Sequence, residues 1–406
     1  MSWTIAVLGL AFLVLIHEAG HFFVARMLGM RPRKFYLGFP PAIAKTTHGG
    51  IEYGIGAIPL GGYVKIPGMH RPAPSDLDSQ LGPAVREAPE LTGSVERMKR
   101  KLDRGEFEEG PELRALEAGV AGVELSPQAR RGAERGLTEL RDGVGPDAYW
   151  RAQTWKRVAV IFAGPGTNFF FAVALLTVVF LLGVRVATLS VGEVSAGSPA
   201  DLAGLRVGDR IVGIDGQPMA GFEDLFTTIQ DAEGAPIVLQ VERRGEVREL
   251  PVTPTHYYGA NWAVGFRPVG RWERRDLGEA VGLALGRTWE VTKAIAVGFS
   301  RLVTPEGREE ISSPVGITRV SSEAVEIDFR IYLQLLAFIS LSLALLNLLP
   351  LLPLDGGHIA FSLIEGLRRR AVGREVYERV SVVGIALVLM LFFIGLSNDI
   401  GGRGPG

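Results

Sequence analysis

Residues 17–21 read HEAGH. On an α-helix, positions i and i+4 share a face. His17 and His21 can therefore hold one metal ion, and Glu18 beside them can take a proton from a water that the metal activates. The motif stands inside the apolar run LGLAFLVLIHEAGHFFVARMLG. Ionisable groups in such a segment are costly and mark function by default. One buried histidine satisfied by hydrogen bonds would be an ordinary packing residue. Two histidines and a glutamate at metal spacing point to a metal centre. The chain has no cysteine, so any metal must use His, Asp or Glu.

Catalytic zinc takes three protein ligands and keeps one position open. His48, His70 and His256 fall in expected loops, which leaves the stretch NLLPLLPLDGGHIAF. Pro350 and Pro353 end the apolar helix there and free its backbone. Gly356 and Gly357 let the chain turn close to another element. Asp355 or His358 can reach the metal, and spacing does not choose between them. Asp355 also suits a helix N-cap at the membrane edge. Asn347, eight residues earlier, is a polar group in an apolar run and needs a partner.

These residues need helices to carry them. About 20 apolar residues span the hydrocarbon core. Four segments qualify, at about 3–25, 158–184, 331–354 and 381–396. A fifth apolar stretch, GEAVGLALGRTWEVTKAIAVGFSRLV, is interrupted by Arg287, Glu290, Lys293 and Arg301 and reads as an amphipathic helix on the membrane surface. Residues 25–157 hold 21 Lys+Arg against 17 Asp+Glu, and residues 185–332 hold 16 against 21. Cationic loops favour the cytoplasm. That places 25–157 and the arginine-rich 355–379 loop inside, and 185–332 with both termini outside. The N-terminus has no cationic n-region and no small-residue cleavage site, which argues against a cleaved signal peptide. The chain has 406 residues and a formal net charge of -1, so no basic field points to nucleic acid.

Between the spans, residues 50–66 (GIEYGIGAIPLGGYVKI) suggest short strands and tight turns that dip beside the first span. Irregular backbone at that depth must line protein or a water-filled cavity, and its edge can pair with an extended peptide. Residues 70–150 are rich in Pro, Glu, Arg and Gly and read as a polar cytoplasmic insertion, partly disordered. Residues 186–256 contain SPADLAGLRVGDRIVGIDGQ and resemble a bacterial-type PDZ domain, a fold that takes an extended peptide at a groove edge.

HExxH in the first span, the PDZ-like unit between the second and third, and N-x-x-P-x-x-x-LDGG near the C-terminus together resemble the site-2 protease family of intramembrane zinc metalloproteases, peptidase family M50. The likeness is greatest to its bacterial sigma-factor-regulating branch. GGYVKIPG, FAGPGTNF and SSPVGI carry it further, so that it covers about 1–70 and 150–396. The resemblance implies that His17, His21 and Asp355 bind Zn2+ and that Glu18 is the general base. It implies that Asn347 helps hold substrate and that Gly61, Gly62 and Tyr63 belong to a substrate-contacting β-loop. Asn168 would pack near the site. Two features depart from the family pattern: one PDZ domain where some relatives have two, and the insertion of roughly 80 residues.

The fold class expected is thus a polytopic α-helical membrane protein with about four transmembrane helices, a membrane-associated β-loop and an inserted extracytoplasmic PDZ domain. The segments are 1–69 (first span and β-loop), 70–150 (insertion), 151–185 (second span), 186–256 (PDZ), 257–330 (membrane-surface helices) and 331–406 (last two spans). The function expected is hydrolysis of peptide bonds inside transmembrane segments of single-span membrane proteins, such as an anti-sigma factor or a remnant signal peptide, after a prior extracytoplasmic cut. The setting is the bacterial inner membrane, multi-pass, with the active site toward the cytoplasm and lipid as the surrounding partner. A peptide ligand of the PDZ unit is a further expected partner; nucleic acid is not. Three rivals fare worse. A zinc-binding scaffold has no use for Glu18, a metal transporter should show internal repeats, and a soluble protease leaves the later spans unexplained.

Overall fold

The computed structural model describes residues 1–258, 261–301, 304, 308 and 311–401. The parts of the expected 257–330 and 331–406 segments at 259–260, 302–303, 305–307, 309–310 and 402–406 lie outside the described residues. The chain divides into two compact units, one of residues 1–177 with 281–406 and one of residues 178–280.

Four helices among the described residues are long and apolar enough to cross a membrane. They are α1 (Ser2–Met27), α6 (Thr154–Leu182), α11 (Phe329–Asn347) and α13 (Arg374–Ile400). α11 stops at Asn347, short of the expected 354, because the segment with Pro350 and Pro353 cannot extend the helical ladder. α13 is longer than its apolar stretch, since Glu375 and Arg379 pair across one turn at its start. Small residues let these helices approach. At Gly9 of α1 a Cβ would overlap the Tyr332 hydroxyl of α11. That hydroxyl donates to the Ile5 carbonyl at 3.0 Å.

β1 (Lys34–His48) and β2 (Ile51–Lys65) form the β-loop. Both strands bend. The outer arms pair as a hairpin, His48 with Ile51 and Thr47 with Glu52. The inner arm of β1 pairs on one side with 62–65 and on the other with 52–55. The bend exposes Ile43 and Ile55, apolar residues that suit contact with lipid rather than water. At the base, the Lys34 ammonium and the Tyr36 hydroxyl both bond Glu52, at 2.8 and 2.7 Å. They hold its carboxyl at about 2, well below the usual range.

Residues 70–150 correct the expectation of partial disorder. They fold into α2 (Pro74–Glu87), α3 (Thr92–Asp103), α4 (Pro111–Gly122) and α5 (Pro127–Val144). Leu81, Met98 and Leu116 are fully buried in a core shared by the four. The segment SVERMKRKLD, although rich in charge, places Val95, Met98 and Leu102 on one inward stripe. Three or four apolar residues per helix are enough when four helices pool them. The remaining helices of this unit are α9 (Leu277–Arg301), α10 (Pro314–Ile327) and α12 (Asp355–Arg368).

The second unit holds β3 (Val184–Val194), α7 (Pro199–Leu202), β4 (Arg210–Ile214), β5 (Gln217–Pro218), α8 (Phe222–Asp231), β6 (Ile237–Arg243) and β7 (Glu246–Val252). It continues with β8 (Thr255–Tyr258), β9 (Asn261–Ala263) and β10 (Phe266–Glu273). Its sheet runs β10-β3-β4-β6-β7 with β5 on β4. The expected boundary at 256 is too early. β10 pairs along β3 from Phe266–Val194 to Glu273–Val184, so 266–273 is strand and not surface helix. Alternation in FRPVGRWE carried that signal, with the intermediate positions turned inward. Buried Asp209 is paired with Arg243 at 2.6 Å. Burial works against its charge, but the guanidinium prevails and lowers its pKa.

Candidate metal centre

α1 carries His17 and His21 one turn apart, both buried. α12 begins at Asp355. Leu354, with an extended backbone, is its N-cap, so Asp355 is not the cap but the first helical residue. A Cβ at Gly356 would overlap the Leu348 and Leu349 carbonyls, and one at Gly357 would lie 2.5 Å from the Leu352 nitrogen. Those two glycines let the turn after α11 fold back and aim Asp355 inward.

The result is a tight triangle. Asp355 Oδ2 lies 3.2 Å from His17 Nε2 and 3.3 Å from His21 Nε2. The two Nε2 atoms are 3.3 Å apart. His358, one turn further along α12, is not in the triangle; the fold brings Asp355 to the histidines instead. His21 Nδ1 faces the Val160 carbonyl at 2.9 Å. With its proton there, His21 directs an Nε2 lone pair at a carboxylate, which is repulsive unless a cation sits between them. His17 Nδ1 and Asp355 Oδ2 are buried without a hydrogen-bond partner among the described residues. A point equidistant from three atoms so spaced is roughly 2 Å from each, the length of a zinc–nitrogen bond. The residues present thus fit a zinc ion.

Glu18 is within electrostatic reach of His17, His21 and Asp355. Its Cγ packs on Gly62 of β2, where a Cβ would lie 2.9 Å from it and 2.8 Å from the Tyr36 carbonyl oxygen. Gly61 has φ +84°, a conformation natural to glycine. Tyr63 stacks on Tyr36 with centroids 5.2 Å apart. Asn347 is the half-buried last residue of α11, outside the triangle. Asn168 in α6 is fully buried, and its carbonyl accepts the Ser340 hydroxyl at 2.9 Å, tying α6 to α11.

One residue of the site escaped the reading of the sequence. Gly164 in α6 abuts both histidine rings: a Cβ there would overlap His21 Nε2 and lie 2.9 Å from His17 Cε1. Gly20 of α1 makes the reciprocal approach to Ala163 and Thr167. Gly164 lies inside FAGPGTNF, but a glycine in an apolar run says only that a close crossing exists and not where.

The profile of Peptidase family M50 matches residues 5–391. The chain is 31% identical over 456 residues to the regulator of sigma-E protease RseP of Salmonella typhimurium, with 98% of each chain covered. It is 30% identical over 407 residues to a putative zinc metalloprotease of Rhizobium meliloti, covering 96% of this chain and 94% of that one. It is 28% identical over 407 residues to the zinc metalloprotease RasP of Geobacillus kaustophilus, covering 96% and 95%. Matching from end to end, and carrying a His–His–Asp triangle with both histidines buried, this chain belongs to peptidase family M50 and is a multi-pass, zinc-dependent metalloprotease.

Proposed function

We propose that this protease cuts peptide bonds inside the transmembrane segments of single-span membrane proteins, from the cytoplasmic side of a bacterial inner membrane. The observation that carries the reading is the triangle of His17, His21 and Asp355, its two histidines on α1, a helix apolar enough to cross a membrane. These three residues would hold the zinc. When bound, zinc supplies Lewis acidity, polarising a peptide carbonyl and acidifying a water. Glu18 takes the proton of the attacking water and later passes it to the leaving amine. A helical substrate shields its peptide bonds and must unwind. The 61–65 arm of β2, laid against Glu18 at Gly62, offers backbone groups to pair with the extended chain. Tyr63 and Asn347 would contact that chain.

We read residues 186–256 as a PDZ unit; the sheet β3-β4-β6-β7, with β10 added at its β3 edge, supports that reading. Outside the membrane it would exclude substrates whose outer domain has not been trimmed, or take a peptide end. The insertion 70–150 would face the cytoplasm. An anti-sigma factor or a remnant signal peptide fits this substrate class.

The experiment is cleavage of a tagged single-span protein by the purified chain, beside Glu18→Gln and a chelated sample, with zinc quantified in each. The reading requires that only untreated wild type cuts, and that Glu18→Gln retains zinc while losing roughly 100-fold or more in rate. Equal cleavage by Glu18→Gln would overturn it.

A further inference from the structure

A cavity lies apart from the metal site, at the end of the membrane helices where the arginines collect. It has a volume of about 180 Å³ and is lined by Arg71, Arg157, Arg369 and Arg370 together with Tyr377 and Glu365. Arg157 stands in the first turn of α6, and Tyr377 in the first turn of α13. The cavity is therefore at the level where two spans leave the bilayer.

Its charges do not cancel. Glu365 is the one acid in the lining, and it is already occupied. One oxygen accepts from Arg157 Nη1 at 2.6 Å and the other from the Val372 amide at 2.9 Å. Arg71 lies over the Phe107 ring at 4.3 Å and the Trp150 ring at 5.6 Å. It has no carboxylate partner among the described residues, nor do Arg369 and Arg370. Arg369 also closes α12 in the left-handed conformation, φ 50° and ψ 28°. Glycine usually fills that position, and another residue there costs about 1 kcal/mol. A bulky cation at that strained position, beside two more without counter-charges, indicates a site kept for an anion.

We infer that this cavity binds a phosphate oxyanion, supplied in the membrane by the headgroup of an anionic phospholipid. Guanidinium groups pair phosphate oxygens in a fork. Basic pockets between helix ends at the membrane face suit lipid phosphates. The volume admits a phosphodiester with part of its glycerol, and the first turns of α6 and α13 border it through Arg157 and Tyr377. The consequence for the enzyme is mechanical. Arg157 and Glu365 lock the start of α6 to α12, the helix whose first residue is Asp355. A lipid seated against the 369–372 turn braces that lock.

The test uses the full chain, purified in a neutral detergent and stripped of lipid. It is then offered phosphatidylglycerol, phosphatidylcholine or inorganic phosphate, with retained lipid read by native mass spectrometry. Wild type should keep one phosphatidylglycerol in preference to phosphatidylcholine, and millimolar inorganic phosphate should not displace it. Arg369→Gln/Arg370→Gln should weaken retention roughly 25-fold, about fivefold for each charge removed. Arg97→Gln/Arg100→Gln, which removes two exposed charges from α3, should leave it unchanged. Bound zinc and helical content serve as fold controls for both variants. Equal retention by wild type and the 369/370 variant would overturn the proposal, as would equal retention of phosphatidylcholine. Capture of inorganic phosphate with no preference for the anionic lipid would overturn the lipid assignment and leave a soluble oxyanion as the ligand.

Discussion

The glycine at 164 is where helix packing and metal chemistry meet, and Gly164→Ala tests that meeting directly. The added methyl would lie 2.6 Å from His21 Cε1 and 2.9 Å from His17 Cε1. Carbon atoms pack at about 3.5–4.0 Å, so α1 and α6 must part by about 1 Å. The His21 ring cannot simply swing aside, because Nδ1 is tied to the Val160 carbonyl at 2.9 Å on the same helix α6. Zinc sites tolerate displacements of about 0.2 Å. Overpacking a close contact costs about 1–3 kcal/mol, and here that cost falls on the ligand geometry. Zinc affinity should drop about 10- to 100-fold. The assay is chelator competition on wild type, Gly164→Ala and Gly166→Ala. At Gly166 the methyl meets only the Phe162 ring, at 3.2 Å, so it controls for the gain in helix propensity. If Gly164→Ala holds zinc as tightly as Gly166→Ala, the α1–α6 crossing does not set the site and the reasoning fails.

Gly62→Ala presses a methyl between the Tyr36 carbonyl and Glu18; it should lower cleavage at least 10-fold while zinc content stays at the wild-type level, since no ligand is touched. Glu52, held at about 2 by Lys34 and Tyr36, stabilises the base of the β-loop above the ordinary carboxylate value of about 4.3. That contribution is lost as pH falls from there toward 2, and hydrogen exchange of the 34–65 amides, corrected for intrinsic rates, should speed up in wild type but not in Glu52→Gln. Leu116→Ala removes a fully buried side chain from the α2–α5 core and should cost about 2–5 kcal/mol, read as earlier proteolysis within 70–150; an unchanged digestion pattern would mean that these helices do not share a core.

The histidine pair was legible from spacing, because i and i+4 fall on one helical face whatever the rest of the chain does. The spans were legible too, since lipid imposes a length and a polarity on any segment that crosses it. The third member of the triangle was not. Asp355 and His358 are one turn apart, and only the folding back of the Pro- and Gly-containing turn decides which of them meets α1. The resemblance to a known family pointed to Asp355, and the fold brings that residue into the triangle. Gly164 lay hidden for the same reason: a glycine announces a close approach, but its partner is fixed by how two helices cross. In the insertion, charge density outweighed a stripe of three or four apolar residues per helix. That stripe is too narrow to bury alone and becomes a core only when four helices pool it. The strand β10 was missed because its partner β3 lies some 80 residues away in sequence, and pairing over that distance leaves no local mark beyond a short alternation. Local rules gave residue types and periods, while every contact between distant segments, the complete triangle included, was decided by tertiary packing.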